Sequence, residues 1–235
     1  MAQKTSKAAV LVKKKSWLPI IAPGLFNNQQ IGEMYISEDA DPKGRKVTAS
    51  LTVLTGDPQR QNIHVSFEIT KEENKQLLTK VVGYSIIPAA VRKMMRRSRE
   101  RIDDSFVVKT KDNIAVRIKP VLITRGRTTG GVLKEMRSQM RTFIARAITG
   151  MSFVDFIKEL VAHKFQKQLQ DSLRKIYPLQ VCELRDVHIE TSEKGLKNII
   201  SAPPLPKQAE KKEPAQEQPT PPTAEEQKSP EAVPQ

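Results

Sequence analysis

Between Ile86 and Arg101 the chain reads IIPAAVRKMMRRSRER, and six of these sixteen residues are basic. They are Arg92, Lys93, Arg96, Arg97, Arg99 and Arg101, with only Glu100 opposing them. A guanidinium presents a fork of donors that matches phosphate oxygens, which a lysine ammonium does not. The chemistry that suits such a run is neutralisation of a polyanion, not the making or breaking of bonds. A solvated helix face is the competing reading of any charge run. This one is short and one-signed, and it lacks the alternating acids that would form i,i+4 pairs.

Two more basic sets follow. In ITRGRTTGG, residues 123–131, Arg125 and Arg127 sit among glycines and threonine hydroxyls, a composition suited to phosphate oxygens or to an exposed loop. No Gly-Lys-Ser/Thr ending makes it a nucleotide loop. Beyond it, Lys134, Arg137 and Arg141 flank an apolar stripe. Lys13, Lys14, Lys15 and Arg45 complete the candidate phosphate-binding residues.

Catalytic chemistry finds no such grouping. His64, His163 and His188 fall on separate segments without ligand spacing. Asp103 and Asp104 are adjacent, so they face apart on a regular element and read as a helix exit. Ser85, Ser98 and Cys182 carry no nucleophile motif. Cys182 is the only cysteine, which excludes an intrachain disulfide and a cysteine-based zinc site. No catalytic residue, metal or cofactor is expected.

Composition points the same way. The net charge is +14. Residues 201–235 hold four Lys and six Glu, which leaves about +16 on residues 1–200. Such a field favours nucleic acid or an anionic membrane. Without a secretory or long apolar segment, an intracellular, soluble, nucleic-acid-associated protein is the expectation.

The elements that must position these residues follow from periodicity. Ile87, Val91, Met94 and Ile102 share one side of a helix predicted over Ile87–Arg101, opening at Pro88. Val132–Ala147 predicts a second basic amphipathic helix, and Ser152–Ile176 a third, with Ser152 and Asp155 at capping-box spacing. Before the first helix, Ile31–Ser37, Val47–Val53, Ile63–Ile69 and Gln76–Val82 read as strands, the last three as an antiparallel meander turning at Lys71–Asn74. After it, Phe106–Thr110 and Ile114–Thr124 form a hairpin about Lys111-Asp112-Asn113, with Pro120 marking an edge or bulge. Val181–Glu190 is a last strand. Trp17–Phe26 is a proline-kinked extended anchor, with Trp17 packed in a core or interface or stacked on a base.

The expected fold is α+β: an antiparallel, barrel-like sheet with packed basic amphipathic helices and extended termini. Residues 1–16 form a basic arm, 17–190 one α+β core domain and 191–200 a linker. Residues 201–235 hold nine of the sixteen prolines and no aromatic residue, so a disordered or extended tail is expected.

Trp17, Ala22, Pro23, Phe26, Ile31 and Gly32, with Lys43-Gly44-Arg45 before the first long strand, resemble the opening signature of the ribosomal S1e (S3a/S3Ae) family. Gly83, the basic helix, Ile102, Val108-Lys109-Thr110, Lys111-Asp112, Val116-Arg117 and Ile176-Tyr177-Pro178-Leu179 continue the match over roughly residues 13–190. The chain lacks the lysine-rich start and the insertion near residues 124–134 of eukaryotic members, so it is similar to the archaeal form. Leu18 stands where the family often has Tyr, Asn113 where it has Gly, and the tail after Ser201 departs from familiar members.

The resemblance implies a structural constituent of the small ribosomal subunit, cytoplasmic within that particle. It implies binding to small-subunit rRNA at the platform near the mRNA exit, including the region near the rRNA 3′ end. Neighbouring platform ribosomal proteins would be partners and mRNA would pass nearby. No membrane, homo-oligomer or enzyme is implied. The alternative function is a protein-interaction module of translation-initiation or ribosome-assembly machinery.

Overall fold

Strict alternation puts Ile63, Val65, Phe67 and Ile69 on one face of a strand, and all four are buried. In the computed structural model, which describes residues 15–37 and 40–191, that strand is β4 of a nine-stranded sheet. The strands are β1 (Lys15–Ile21), β2 (Gln30–Ser37), β3 (Lys46–Ser50), β4 (Ile63–Glu73), β5 (Gln76–Ile86), β6 (Arg101–Asp103), β7 (Phe106–Lys109), β8 (Ala115–Thr124) and β9 (Leu179–Ile189). The helices are α1 (Leu51–Thr55), α2 (Pro88–Met94), α3 (Gly130–Thr149), α4 (Phe153–Val161) and α5 (Lys164–Arg174).

The meander is present: β3 pairs antiparallel with β4, and β4 with β5. Its tight turn is Asn74–Lys75, both at positive φ, so β4 runs on through residues 71–73, where the turn was expected to begin. β5 is the hub. Its start pairs parallel with β1, at Ile20 to Leu77, and its end antiparallel with β9, at Gly83 to His188. Gly83 permits that approach, since a Cβ there would lie 3.1 Å from the Val187 carbonyl oxygen. β9 then pairs with β8, whose far edge carries β6 and β7. The expected 106–124 hairpin forms about Asn113, at φ 59°. The sheet is therefore mixed, with one parallel pair. It branches at β5, and its terminal strands β2, β3, β6 and β7 are not hydrogen-bonded to one another among the described residues, so the pairing does not close a barrel.

The helices cover the sheet with one large core. Met136, Met140, Ile144 and Ile148 of α3 are buried beside Phe156, Leu160, Phe165, Leu169 and Leu173 of α4 and α5. Phe156 and Phe165 meet edge to face, with ring centroids 5.1 Å apart. A smaller core of Leu18, Ile20, Ile36, Ile69 and Leu77 anchors β1 and β2.

Four expected elements differ. The helix over Ile87–Arg101 ends at Met94, because Met95 turns extended (φ −76°, ψ 134°). Continuing it would stack Arg96, Arg97, Arg99 and Arg101 on one helix with Glu100 as their single acid. Ile102 instead reaches the core as a strand residue opposite Leu122. The strand over 47–53 stops at Ser50, whose side chain caps α1 by accepting from the Thr52 N–H, and Gly56 ends α1 in the left-handed region. Ser152–Ile176 is two helices broken at His163, which sits at φ 57°. There the Gln166 side-chain amide donates to the Leu160 carbonyl, a helix-end acceptor. Lastly, the proline-kinked 17–26 segment is strand β1 through Ile21, with Trp17 exposed instead of packed in a core.

Lys13, Lys14, residues 192–200 of the expected 191–200 linker and the 201–235 tail lie outside the described residues. No helix among the described residues is long and apolar enough to cross a membrane.

Candidate nucleic-acid interface

The shortened α2 changes how its cations are displayed. Val91 is buried, while Arg92 and Lys93 in the last turn are exposed. Arg96 and Arg97 then occupy a turn and are exposed; Arg99 is half-buried, its N–H donating to the Arg96 carbonyl at 3.2 Å. A turn splays neighbouring guanidiniums in more directions than one helix face would allow.

This turn is tied to the second basic set. The Glu100 N–H donates to Thr124 Oγ1 at 2.9 Å, and the Thr124 N–H returns a bond to the Glu100 carbonyl at 3.0 Å. Pairing of Arg101 with Ile123 continues the link. Residues 96–101 and 125–127, separated in sequence by a whole hairpin, thus meet at one edge of the sheet. Arg125 and Arg127 are both exposed there.

Their loop is held firmly. The Arg125 N–H donates to the Pro178 carbonyl at 3.1 Å, and Tyr177 Oη to the Arg127 carbonyl at 3.4 Å. Gly130 and Gly131 open α3 instead of loosening the loop. The main chain is fixed while both guanidiniums face outward, an arrangement that orders donors in advance of a ligand.

On α3, Lys134 and Arg137 are exposed, but Arg141 is engaged within the protein. Its Nη2 donates to Asp104 Oδ1 at 2.8 Å and its Nε to Asp104 Oδ2, a bidentate pair. Burial alone would raise the Asp104 pKa. Hydrogen bonds from Arg141 and the Ser105 N–H, with the nearby charges of Arg141 and Arg137, hold it below the ordinary value. Arg101 is likewise gripped by Asp103, its Nε donating to Oδ1 at 2.8 Å. The two aspartates lie at the end of a strand, not at a helix exit, and each takes one arginine.

The remaining candidates sit apart. Arg45 is exposed, with an Nη 3.8 Å from the Met34 sulfur. Lys15 opens β1, its ammonium 5.5 Å from the centre of the Tyr35 ring. Trp17 and Tyr35 stand opposite each other on β1 and β2, ring centroids 4.9 Å apart and both exposed.

One arginine escaped sequence reasoning. Arg185 of β9 lines an open groove of about 710 Å³ together with Arg92 and Arg101. The signal lay in the apolar spacing of β9: Cys182, Leu184 and then Val187, a strand pattern interrupted by one residue. Among the described residues, no cluster of three or more His, Cys, Asp or Glu side chains is arranged to hold a metal ion.

Comparison with known proteins gives one consistent result. The model of the Ribosomal S3Ae family matches residues 3–192. The small ribosomal subunit protein eS1 of Nanoarchaeum equitans is 32% identical over 184 residues, covering 78% of this chain and 93% of the relative. The protein of the same name from Saccharolobus islandicus (strain L.S.2.15 / Lassen #1) is 28% identical over 177 residues, covering 75% and 85%. That from Saccharolobus solfataricus is similar to the same extent.

Proposed function

The chain belongs to the Ribosomal S3Ae family, and we propose that it binds and stabilises small-subunit rRNA through the basic edge formed by α2, the 96–101 turn, the 125–127 loop and the outer face of α3. Family membership makes it a ribosomal protein of the small subunit, with a structural and not a catalytic role in translation. A position on the platform near the mRNA exit, with the 3′ region of the rRNA and neighbouring platform proteins as partners, is the finer reading. The observation that carries the RNA reading is the junction at Glu100 and Thr124. It gathers Arg96, Arg97, Arg125 and Arg127, all exposed, from two distant stretches. Donors so placed fix a protein's register on folded RNA by contacting phosphates and need read no base.

The protein-interaction module is a second reading, favoured by the exposed Trp17–Tyr35 pair on β1 and β2. Salt dependence separates the two. Affinity for purified small-subunit rRNA should fall steeply with salt. The triple variant Arg96→Gln/Arg97→Gln/Arg99→Gln should flatten the log–log slope by roughly 0.7–0.9 for each phosphate that is no longer neutralised. Unchanged affinity and slope in that variant would remove the RNA reading of this edge and favour the protein-module one.

A further inference from the structure

Pro120 lies inside β8, paired with β9 on one side and, on the other, in the gap between β7 and β6, and its missing N–H leaves the ladder one donor short. The interruption is absorbed on the neighbouring strand. Lys119 pairs with Asp186 and Pro120 pairs with Leu184, so Arg185 between them has no partner residue on β8. This is a bulge, and a bulge redirects the side chain of its extra residue. Without it, alternation would carry the residues after Leu184 to the opposite faces. With it, Leu184 and Val187 are both fully buried, and Arg185 comes out on the groove.

We propose that Arg185, Arg92 and Arg101 form a binding site for a backbone phosphate of small-subunit rRNA, with Arg185 aimed into it by the Pro120 bulge. The proposal rests on the RNA reading above and adds to that surface a residue from the last strand.

The groove has the chemistry that a phosphate requires. Three guanidiniums from three separate elements reach it, and the Thr48 and Ser85 hydroxyls add neutral donors. Its volume of about 710 Å³ falls within the range of about 300–1,000 Å³ usual for small-ligand sites, and it opens to solvent. The one carboxylate lining it, Asp186, is already engaged: Lys119 Nζ donates to its Oδ2 at 2.7 Å, and His188 Nδ1 lies 3.4 Å from the same oxygen. Arg101 is oriented by Asp103, whereas no acid among the described residues is paired with Arg92 or Arg185. His64 is the single ring in the lining, set against three arginines and two hydroxyl residues, a balance that favours phosphate oxygens over a stacked base. That selects the sugar–phosphate backbone as ligand. Arg92 also leads directly into the exposed 96–97 turn, so one strand of RNA can run from groove to turn.

The test uses the full-length protein and purified small-subunit rRNA. Arg185→Gln and Arg92→Gln should each lower the log–log salt slope by roughly 0.7–0.9, with melting temperatures near that of the parent. Arg185→Lys should keep most of the slope but bind more weakly, since it keeps the charge without the fork. Lys80→Gln, on β5 outside the groove, should change nothing. In the complex, Arg185 should be protected from an arginine-specific glyoxal reagent that modifies it in the free protein. Should Arg185→Gln fail to fold, Arg92→Gln and the protection experiment decide alone. A parent protein with salt-sensitive affinity, combined with unchanged slopes in the variants and an Arg185 still reactive in the complex, overturns the groove and spares the wider RNA reading. A parent that does not bind rRNA overturns both. Orthophosphate that shields Arg185 where rRNA does not would make this a free-anion site and overturn the backbone assignment.

Discussion

Asp104 separates two arginines that look alike in sequence. Arg137 and Arg141 are one helical turn apart on α3, both exposed, yet only Arg141 is clamped by the nearly buried Asp104 carboxylate. Arg141→Gln should therefore act on folding, leaving that carboxylate only the Ser105 N–H, at a cost of about 1–3 kcal/mol. It should leave the salt dependence of rRNA binding nearly as it was. Arg137→Gln should do the reverse. Thermal unfolding and salt titration of the two variants, measured side by side, check this; a flattened slope in Arg141→Gln would return that residue to the RNA surface. Arg101 differs, because its partner Asp103 is exposed where Asp104 is nearly buried, and Arg101 still lines the groove. Counting cations along the chain could not draw these distinctions. The acids that claim Arg101 and Arg141 lie two and thirty-seven residues away, and only the second is brought near by the fold.

At the scale of elements, the sheet was legible wherever one face is buried and the other wet. Ile63–Ile69 and the hairpin at Asn113 show this directly. What stayed hidden has specific causes. The break at His163 leaves the apolar series Phe156, Leu160, Phe165, Leu169 unbroken in its roughly helical spacing, and neither Gly nor Pro marks it. The end of α2 carries no helix-stop residue either, because it is set by the pairing of β6 with β8, a long-range contact. Arg185 was missed because a bulge on one strand is caused by a proline on another. The β4–β5 turn supplies a clean test of local backbone cost. Lys75 holds φ 59° with an exposed side chain. A non-glycine residue there carries about 1 kcal/mol of strain. Lys75→Gly, which creates an Asn-Gly turn, should raise the melting temperature by about 2–4 °C, whereas a β-branched replacement should lower it. Equal melting temperatures would show that the turn is not strained.

For the whole molecule, stability should depend on pH through Glu183, which sits under α5 with Tyr84, Cys182 and His163 around it and Arg60 nearby. Burial pushes its pKa up to about 7 from the ordinary 4.5. The folded state therefore holds this proton more tightly than the unfolded chain. Below the ordinary value the group costs no stability. As pH rises from about 4.5 to about 7, a penalty grows toward roughly 3 kcal/mol. His163 contributes in the opposite direction: burial, then the charges of Arg60 and Lys167, hold its pKa low, so its unfolded form binds protons more readily. Glu183→Gln should remove the decline above pH 4.5 and leave the rising contribution of His163 visible. Chemical denaturation across that pH range measures both, and parallel profiles for parent and variant would place the proton elsewhere.

The position of β9 also sets an order in time. It lies between β5 and β8, so among the described strands it alone joins the β1–β5 half of the sheet to the β6–β8 half. It is also the last of these strands to leave a ribosome that is making this chain. Until Leu179–Ile189 has emerged, both halves present an unpaired inner edge, open to strands of other chains. A nascent chain halted before that point holds most of its arginines and no joined sheet. Arg185 arrives on the strand that completes the sheet, so the groove and the joined fold are acquired in one step.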